Sequence, residues 1–422
     1  IMESLFAVVD MFWVSSLGKE AVAVVGLTES VMTLIYAVAM GLSFAGTALV
    51  ARRIGEKNAE LAAHSAGQVI LLGAAVSIAL GVTLAIFAGT ILRLMGADEH
   101  VVTIGTTFTR IVLGCNITVF LIFLINAIFR GAGDAVLAMR TLWLANALNI
   151  VLGPCFIFGW GPFPELGLVG AAVATNIGRG TGVLYQLWHL AGFHSRVKVR
   201  LRHLQPALAD MKVIVTTASS GIAQMLISTT SWIGLFKILA VFGSAAIAGY
   251  TIAIRLVVFA LLPAWGLSNA GATLVGQNLG ANKPDRAEQA VKIATCFNVI
   301  FLGIVGVVFV IFARLLVRVF TTDVDVLPLG SSALWIVSLG FPVYAAGMCL
   351  SAAFNGAGDT WTPTKINFFC FWILQVPIAW ILANKFAFGA RGVFIAVPIA
   401  FTAMAVWSAI LFKRGEWKMK KI

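Results

Sequence analysis

Apolar runs of 20 or more residues recur along almost the whole of this 422-residue chain, separated by short polar stretches. Each is long enough to cross a hydrocarbon core of roughly 30 Å. Inside lipid no water reaches the backbone, so a spanning segment must satisfy its own N–H and C=O groups. Runs of this length, lacking the alternation of barrel strands, do so as helices. Composition agrees. The chain is 60% hydrophobic and 11% charged, where an ordinary soluble domain carries about 25% charged residues. We read an all-α polytopic membrane protein with about twelve transmembrane helices.

The runs are duplicated. "GLSFAGTALVARRIGEKN" from Gly41 returns as "GLSNAGATLVGQNLGANK" from Gly266, and "AIFRGAGD" from Ala127 returns as "AAFNGAGD" from Ala352. Both pairs share an offset of 225 residues, which marks an internal repeat. The runs fall near 1–17, 21–51, 60–94, 100–129, 136–160 and 167–191, then near 213–241, 245–276, 287–316, 327–355, 362–383 and 389–412. Six runs separate the copies, so both halves enter the membrane in the same direction, as parallel repeats. The expected organisation is an N-terminal lobe over 1–192, a basic linker over 193–212, a C-terminal lobe over 213–412 and a basic tail over 413–422. Nine residues precede Asp10, so the first helix is expected to be short at its cytoplasmic end.

The net charge is +12. The basic residues gather at helix ends and in loops, which points to membrane topology rather than to nucleic acid. Roughly 18 lie on the side that holds Arg52, Arg130, Lys283, the linker and the tail, against roughly six on the other. The richer side is expected to be cytoplasmic, with both termini there, in a bacterial or archaeal cell membrane. The linker "HSRVKVRLRHLQPALADMK" reads as a surface segment drawn to anionic lipid. The expected partners are the bilayer and small organic substrates, with no nucleic acid, and the expected state is a monomer.

"RGAGD" and "NGAGD" lack the strand, Lys and Ser/Thr of a phosphate loop. They read as tight turns in which a glycine ends one helix and Asp134 or Asp359 caps the next. "IGEKN" and "LGANK" likewise end a helix on glycine. The five cysteines lack metal-ligand spacing and read as small buried hydrophobes. The feature these readings do not absorb is Asp10, in the apolar stretch "SLFAVVDMFWVSSLG". A charge at mid-membrane depth costs roughly 2.5–3.5 kcal/mol on insertion scales, so an acid there needs a reason.

With "VVD" followed by "SSLGKEAVAVVGL", the paired "GLS-AG--LV" segments, "GQNLGANKPDRA", the two "GAGD" turns and "NALNIVLGPCFIFGWG" before "LGLVGAAVAT", the chain resembles the multidrug and toxic compound extrusion family. The resemblance implies two six-helix lobes around a cavity that opens alternately to each side. It also implies export of organic, often cationic, compounds driven by inward proton or sodium flux, with no cofactor and no enzymatic step. It gives Asp10 the role of coupling acid, with Asn149 near it and Asn146 one turn earlier. Where the family motif often carries a further acid, this chain has Gly153. Sodium-coupled relatives carry acids at positions that align with Ser228 and Tyr344, so the resemblance points to protons rather than Na⁺.

Burial raises a carboxyl pKa from about 4 by up to several units, which suits a proton carrier. Asp10 lies eight residues before Gly18, roughly 12 Å in from the outer end of the helix. Tyr36, Thr175, Asn176, Gln224, Arg255 and Asn367 are expected to line the substrate cavity. Arg110, Arg179, Arg255 and Lys237 lie within apolar runs and keep open a flippase for a lipid-linked saccharide; sodium-coupled export is the other alternative. Glu29, in the second run, is expected to face outer water. No His/Glu metal pair and no nucleophile–base pair stands out, so the chain is not read as an enzyme.

Overall fold

The computed structural model describes the backbone of residues 2–192 and 195–420, with side chains from Val9 onward; Glu3, the other acid of the first helix, lies outside the described side chains. Six helices occupy each half. The first set is α1 Met2–Ser15, α2 Lys19–Gly55, α3 Ala59–Ile86, α4 Glu99–Ala132, α5 Ala135–Phe158 and α6 Leu168–Ala191. The second is α7 Leu208–Ala240, α8 Ser244–Gly280, α9 Pro284–Arg318, α10 with arms Val326–Leu339 and Phe341–Ala357, α11 Trp361–Lys385 and α12 Ala390–Arg414. Among the described residues nine helices are long and apolar enough to cross a membrane, and α10 makes ten if its arms, bent by 54°, form one span. The other two are α1, with 14 residues, and α6, whose apolar run is interrupted by Asn176, Arg179, Gln186 and His189.

The residues separate into two compact units. One holds Ile1–Gly46 and Lys57–Thr216, the other Thr47–Glu56 and Thr217–Ile422. The core of the first packs Val14, Val24, Phe108 and Ile157. That of the second centres on Tyr250, stacked on Phe394 at 5.6 Å, and on Phe341 and Phe354. Helix α7 starts at Leu208, inside the stretch read as linker, and Leu201–Leu204 ahead of it form a 3₁₀ turn. In α11, the stretches Phe368–Gln375 and Ile381–Lys385 are wound as π-helix around Val376–Trp380. Pro377 lies between them; proline has no N–H and crowds the carbonyl four residues back.

The repeated turns correct one expectation. Gly133 and Gly358 do end their helices in the left-handed region, at φ 86° and 83°. Their N–H groups donate to Arg130 O and Asn355 O, and those of Asp134 and Asp359 reach back to Phe129 O and Phe354 O, the pattern of a Schellman close. But neither aspartate side chain caps the next helix. Asp134 Oδ2 accepts from the backbone N–H of Arg196 at 3.2 Å, and Asp359 Oδ2 accepts from Thr362 Oγ1 at 2.6 Å. Two of the cysteines, Cys349 and Cys370, are buried as expected; Cys115 and Cys296 are exposed, because their helix faces point outward.

Helices α2 and α8 do end at Gly55 and Gly280, but the left-handed residues are Lys57 and Asn282. The glycines serve close approach instead. Within the second unit, a Cβ on Gly55 would stand 2.0 Å from Gln277 O, and one on Gly280 would stand 2.0 Å from Arg52 O. Backbone carbonyls cannot give way as a flexible side chain would. We therefore expect Gly55→Ala and Gly280→Ala each to destabilise the folded protein by about 1–3 kcal/mol through overpacking, read as a lowered thermal midpoint in detergent; an unchanged midpoint would deny the close crossing.

Candidate functional site: the polar core of the first unit

Three glycines on one helix bring α5 and α6 into backbone contact. A Cβ on Gly170 would meet Phe156 O at 2.2 Å, one on Gly178 would meet Ala145 O at 2.6 Å, and one on Gly182 would lie 3.1 Å from Ala145 Cβ. Gly178 and Gly182 form a G-x-x-x-G pair, the small-residue spacing that lets helices approach closely in lipid. The approach places Asn149 of α5, 5% exposed, against Thr175 of α6, and Asn149 Nδ2 donates to Thr175 Oγ1 at 2.8 Å. Asn176 Oδ1 accepts from Thr118 Oγ1 of α4 at 3.4 Å. Its own Nδ2 donates to Ala172 O.

Arg179 follows Thr175 by one turn of α6. Its Nη2 donates to the hydroxyl of Tyr36 on α2 at 3.0 Å. Asp10 of α1 is half-buried, and among the described residues the charges of Glu29 and Arg179 act on its carboxyl. Arg179 is also the charge that acts on Glu29, which is exposed on α2. Among the described residues of the first unit, the charges of two acids and one cation thus act on one another, and a tyrosine hydroxyl bonds the cation. Elsewhere in the first unit, the Asn146 Nδ2 is buried without a hydrogen-bond partner among the described residues, as are both polar side-chain atoms of Asn116. Buried polar atoms left open in this way are places for water or ligand to supply the missing bond.

Gly153, where the family motif often has an acid, faces α1. A Cβ there would lie 3.8 Å from Trp13 Cδ1, and the buried Trp13 Nε1 has no acceptor among the described residues. An acid at 153 would sit against the first helix one turn beyond Asp10; this chain has none there.

The second unit carries different chemistry at matching places. On the 225-residue offset, Asp10, Glu29 and Tyr36 correspond to Leu235, Ile254 and Leu261. Gly167 and Gly389, both left-handed ahead of their helices, align α6 with α12 and set Thr175, Asn176 and Arg179 against Val397, Pro398 and Phe401. What this unit does hold is uncharged. Asn367 Nδ2 donates to Ser228 Oγ at 3.1 Å, and Ser228 Oγ donates to Gln224 O at 3.0 Å. Gln224 Oε1 and Asn367 Oδ1 are buried without donors among the described residues. Tyr344 stacks on Phe401 at 4.0 Å. Arg255 and Lys237 are exposed. Arg110 Nε donates to a backbone carbonyl, Ala85 O, at 3.3 Å.

The apolar runs put Asn149 and Thr175 on the fifth and sixth helices, where the structure has them. The Tyr36–Arg179 bond, which joins residues 143 positions apart, has no local signal. We expect Asn149→Ala and Thr175→Val, made singly and together, to show a coupling of about 1 kcal/mol in thermal unfolding, the worth of one buried hydrogen bond; strictly additive losses would deny that bond.

The MatE family model matches residues 1–155 and 220–381. The probable multidrug resistance protein YoeA of Bacillus subtilis (strain 168) is 26% identical, covering 100% of this chain and 92% of that protein. The FAD transporter of Shewanella oneidensis is 26% identical over 97% of this chain and 90% of its own length. Among solved structures, a MOP superfamily transporter from Pyrococcus furiosus Vc1 (DSM3638), described by the reverse polarity of its binding pocket, superposes with a TM-score of 0.91 at 27% identity, covering 100% of this chain and 93% of that one. With twelve helices in two repeated sets and a family match that spans both halves, this chain belongs to the MatE family, the multidrug and toxic compound extrusion transporters.

Proposed function

We propose that the protein exports organic cations in exchange for protons, by alternating access, with Asp10 as the coupling carboxylate. The observation that carries this reading is the charge set of the first unit: Asp10 and Glu29 share one cation, Arg179. With both acids ionised the cluster carries one negative charge more than it can pair internally. Asp10 is half-buried, and a carboxylate partly withdrawn from bulk water gains from being paired or neutralised. A proton on Asp10 meets that demand, and so does the ammonium or amidinium of a substrate. The two therefore compete for one site, and competition for one site is the elementary requirement for exchange. Proton entry on one side releases the cation; cation entry on the other releases the proton.

The surrounding residues have supporting roles. Tyr36 holds Arg179 by its hydroxyl, so the guanidinium stays where it balances one acid. Asn149, Thr175, Asn176 and the open Nδ2 of Asn146 give hydrogen bonds to the polar end of a substrate. In the second unit Gln224, Ser228 and Asn367 offer acceptors to a donor-bearing cargo.

Sodium coupling finds less support. In the second unit every acid lies in a loop or near a helix end, as Asp285, Glu288, Asp323, Asp325 and Asp359 do, and the aligned positions are Ser228 and Tyr344. A relative named for FAD transport raises an anionic cargo, but two acids around one arginine would repel a dinucleotide. The Lys/Arg asymmetry supports a cell-membrane location with the basic side cytoplasmic.

The test is ethidium movement in proteoliposomes under an imposed pH gradient, an imposed Na⁺ gradient or neither. We expect export that needs the pH gradient and falls to the protein-free rate in Asp10→Asn. Movement driven by Na⁺ alone, or unchanged in Asp10→Asn, would overturn the reading.

A further inference from the structure

The segment that follows the sixth helix of each half makes the same contacts within its own unit. In the first unit Arg196 grips the turn between α4 and α5. Its backbone N–H donates to Asp134 Oδ2, its Nε lies 3.6 Å from Oδ1, and its Nη1 donates to Ala132 O at 3.4 Å. Six residues on, Arg202 Nη2 stands 2.6 Å from Glu60 Oε1 at the start of α3. His203, 3% exposed, accepts the Arg200 N–H on Nδ1 at 3.1 Å, which leaves Nε2 to donate to Glu60 Oε1 at 2.7 Å.

Gln68 of α3, fully buried, closes the contact. Its Nε2 donates to His203 O at 3.0 Å and Gln205 O at 2.7 Å, and its Oε1 accepts from Ala207 N at 2.9 Å. The neighbouring Gly67 admits the His203 carbonyl, which a Cβ would meet at 2.3 Å.

The second unit repeats the device with other residues. Trp417, 1% exposed, stacks on Phe412 at 4.9 Å and donates Nε1 to Phe412 O. Lys418 Nζ lies 2.6 Å from Glu288 Oε2 and 3.5 Å from Asp285 Oδ1 at the start of α9. Lys292 holds the other oxygen of Glu288 at 2.6 Å. Lys420 Nζ is 3.9 Å from Asp359 Oδ1, in the turn between α10 and α11. The acids are repeat counterparts: Glu60 and Asp285 stand 225 residues apart, as do Asp134 and Asp359. "RVKVRLRH" and "EWKMK" share no motif, yet each sets one base on the turn acid and another on the acid that opens the third helix of its half.

We propose that these are two intramolecular straps, one per unit, each tying the basic-side ends of the third to sixth helices of its half into a single rigid rim. The inference rests on the transport reading for its purpose: with the rims fixed, the helix bending that accompanies exchange falls outside them. Isolated exposed ion pairs contribute little. The straps differ in that each is seated by a buried anchor, Gln68 with His203 in one and Trp417 in the other. The hydrogen bond to Glu288, partly offset by desolvation and reinforced by the charges of Glu288 and Asp285, holds the Lys418 ammonium above the ordinary lysine range. Its contribution is therefore complete at neutral pH and is lost only as pH climbs beyond that range.

Charge reversal with compensation tests the proposal. Arg202→Glu and Lys418→Glu are compared with the swaps Arg202→Glu/Glu60→Arg and Lys418→Glu/Glu288→Lys, with Arg196→Ala and Lys420→Ala as milder versions should a reversal fail to fold. Hydrogen exchange is read over residues 130–136 and 355–361, alongside ethidium export. We expect each single variant to speed exchange about tenfold in the turn of its own unit only, to slow export, and to be rescued on both counts by the swap. Unchanged exchange in the variants, or swaps that restore nothing, would overturn the straps. A wild type that moves no dye while the exchange pattern holds would support them and count against the transport reading.

Discussion

A charge placed among lipid-embedded helices is stabilised by an opposite charge, and among the described residues of the first unit two acids, Asp10 and Glu29, both feel the charge of one cation, Arg179. That imbalance organises what surrounds it. Arg179 is fixed by Tyr36, and the helix that carries it is pressed against α5 through Gly170, Gly178 and Gly182. The same contact sets Asn149 on Thr175. If those glycines carried side chains, the α5–α6 spacing would open, and the polar residues would lose the partners that make their burial tolerable.

The duplicated fold has been put to unequal use. The two halves share helix order, turn chemistry and left-handed positions, down to Lys57 and Asn282 at equivalent places. The membrane-embedded charges are not shared. Leucine and isoleucine stand where the first half has Asp10 and Glu29, and aromatic stacking, as between Tyr344 and Phe401, fills space that a second charge set would need. One half is built to hold charge, the other to pack and to present uncharged oxygens. Under the proposed coupling, one acid needs no counterpart across the repeat.

Much of this was legible from residues alone. Run lengths and the 225-residue offset fix the helices and their order, because lipid leaves the backbone no choice and because a repeat copies its own turns. Asp10 declared itself by its cost, and Asn149 only through the family resemblance. What stayed hidden depends on residues that meet only in the folded chain. Asp134 looks like a cap in sequence, yet its carboxylate goes to Arg196, 62 positions away. Gln68 carries no signal in the sequence, and becomes a three-bond clamp once residues 203–207 lie against it. Glycines at 55 and 280 suggest turns, and prove to be crossings, since only the packed neighbour shows what a Cβ would strike.

The central claim is that a proton and a substrate cation exclude one another at the Asp10 cluster. Calorimetric titration of the purified protein with an organic cation, in buffers of different ionisation enthalpy, counts the protons released on binding. The account predicts that proton release per cation bound approaches one in the acidic range where Asp10 is protonated in the free protein, falls away at higher pH, and is absent at every pH in Asp10→Asn. Binding that releases no proton in the wild type at any pH, or equal release in the variant, would contradict it.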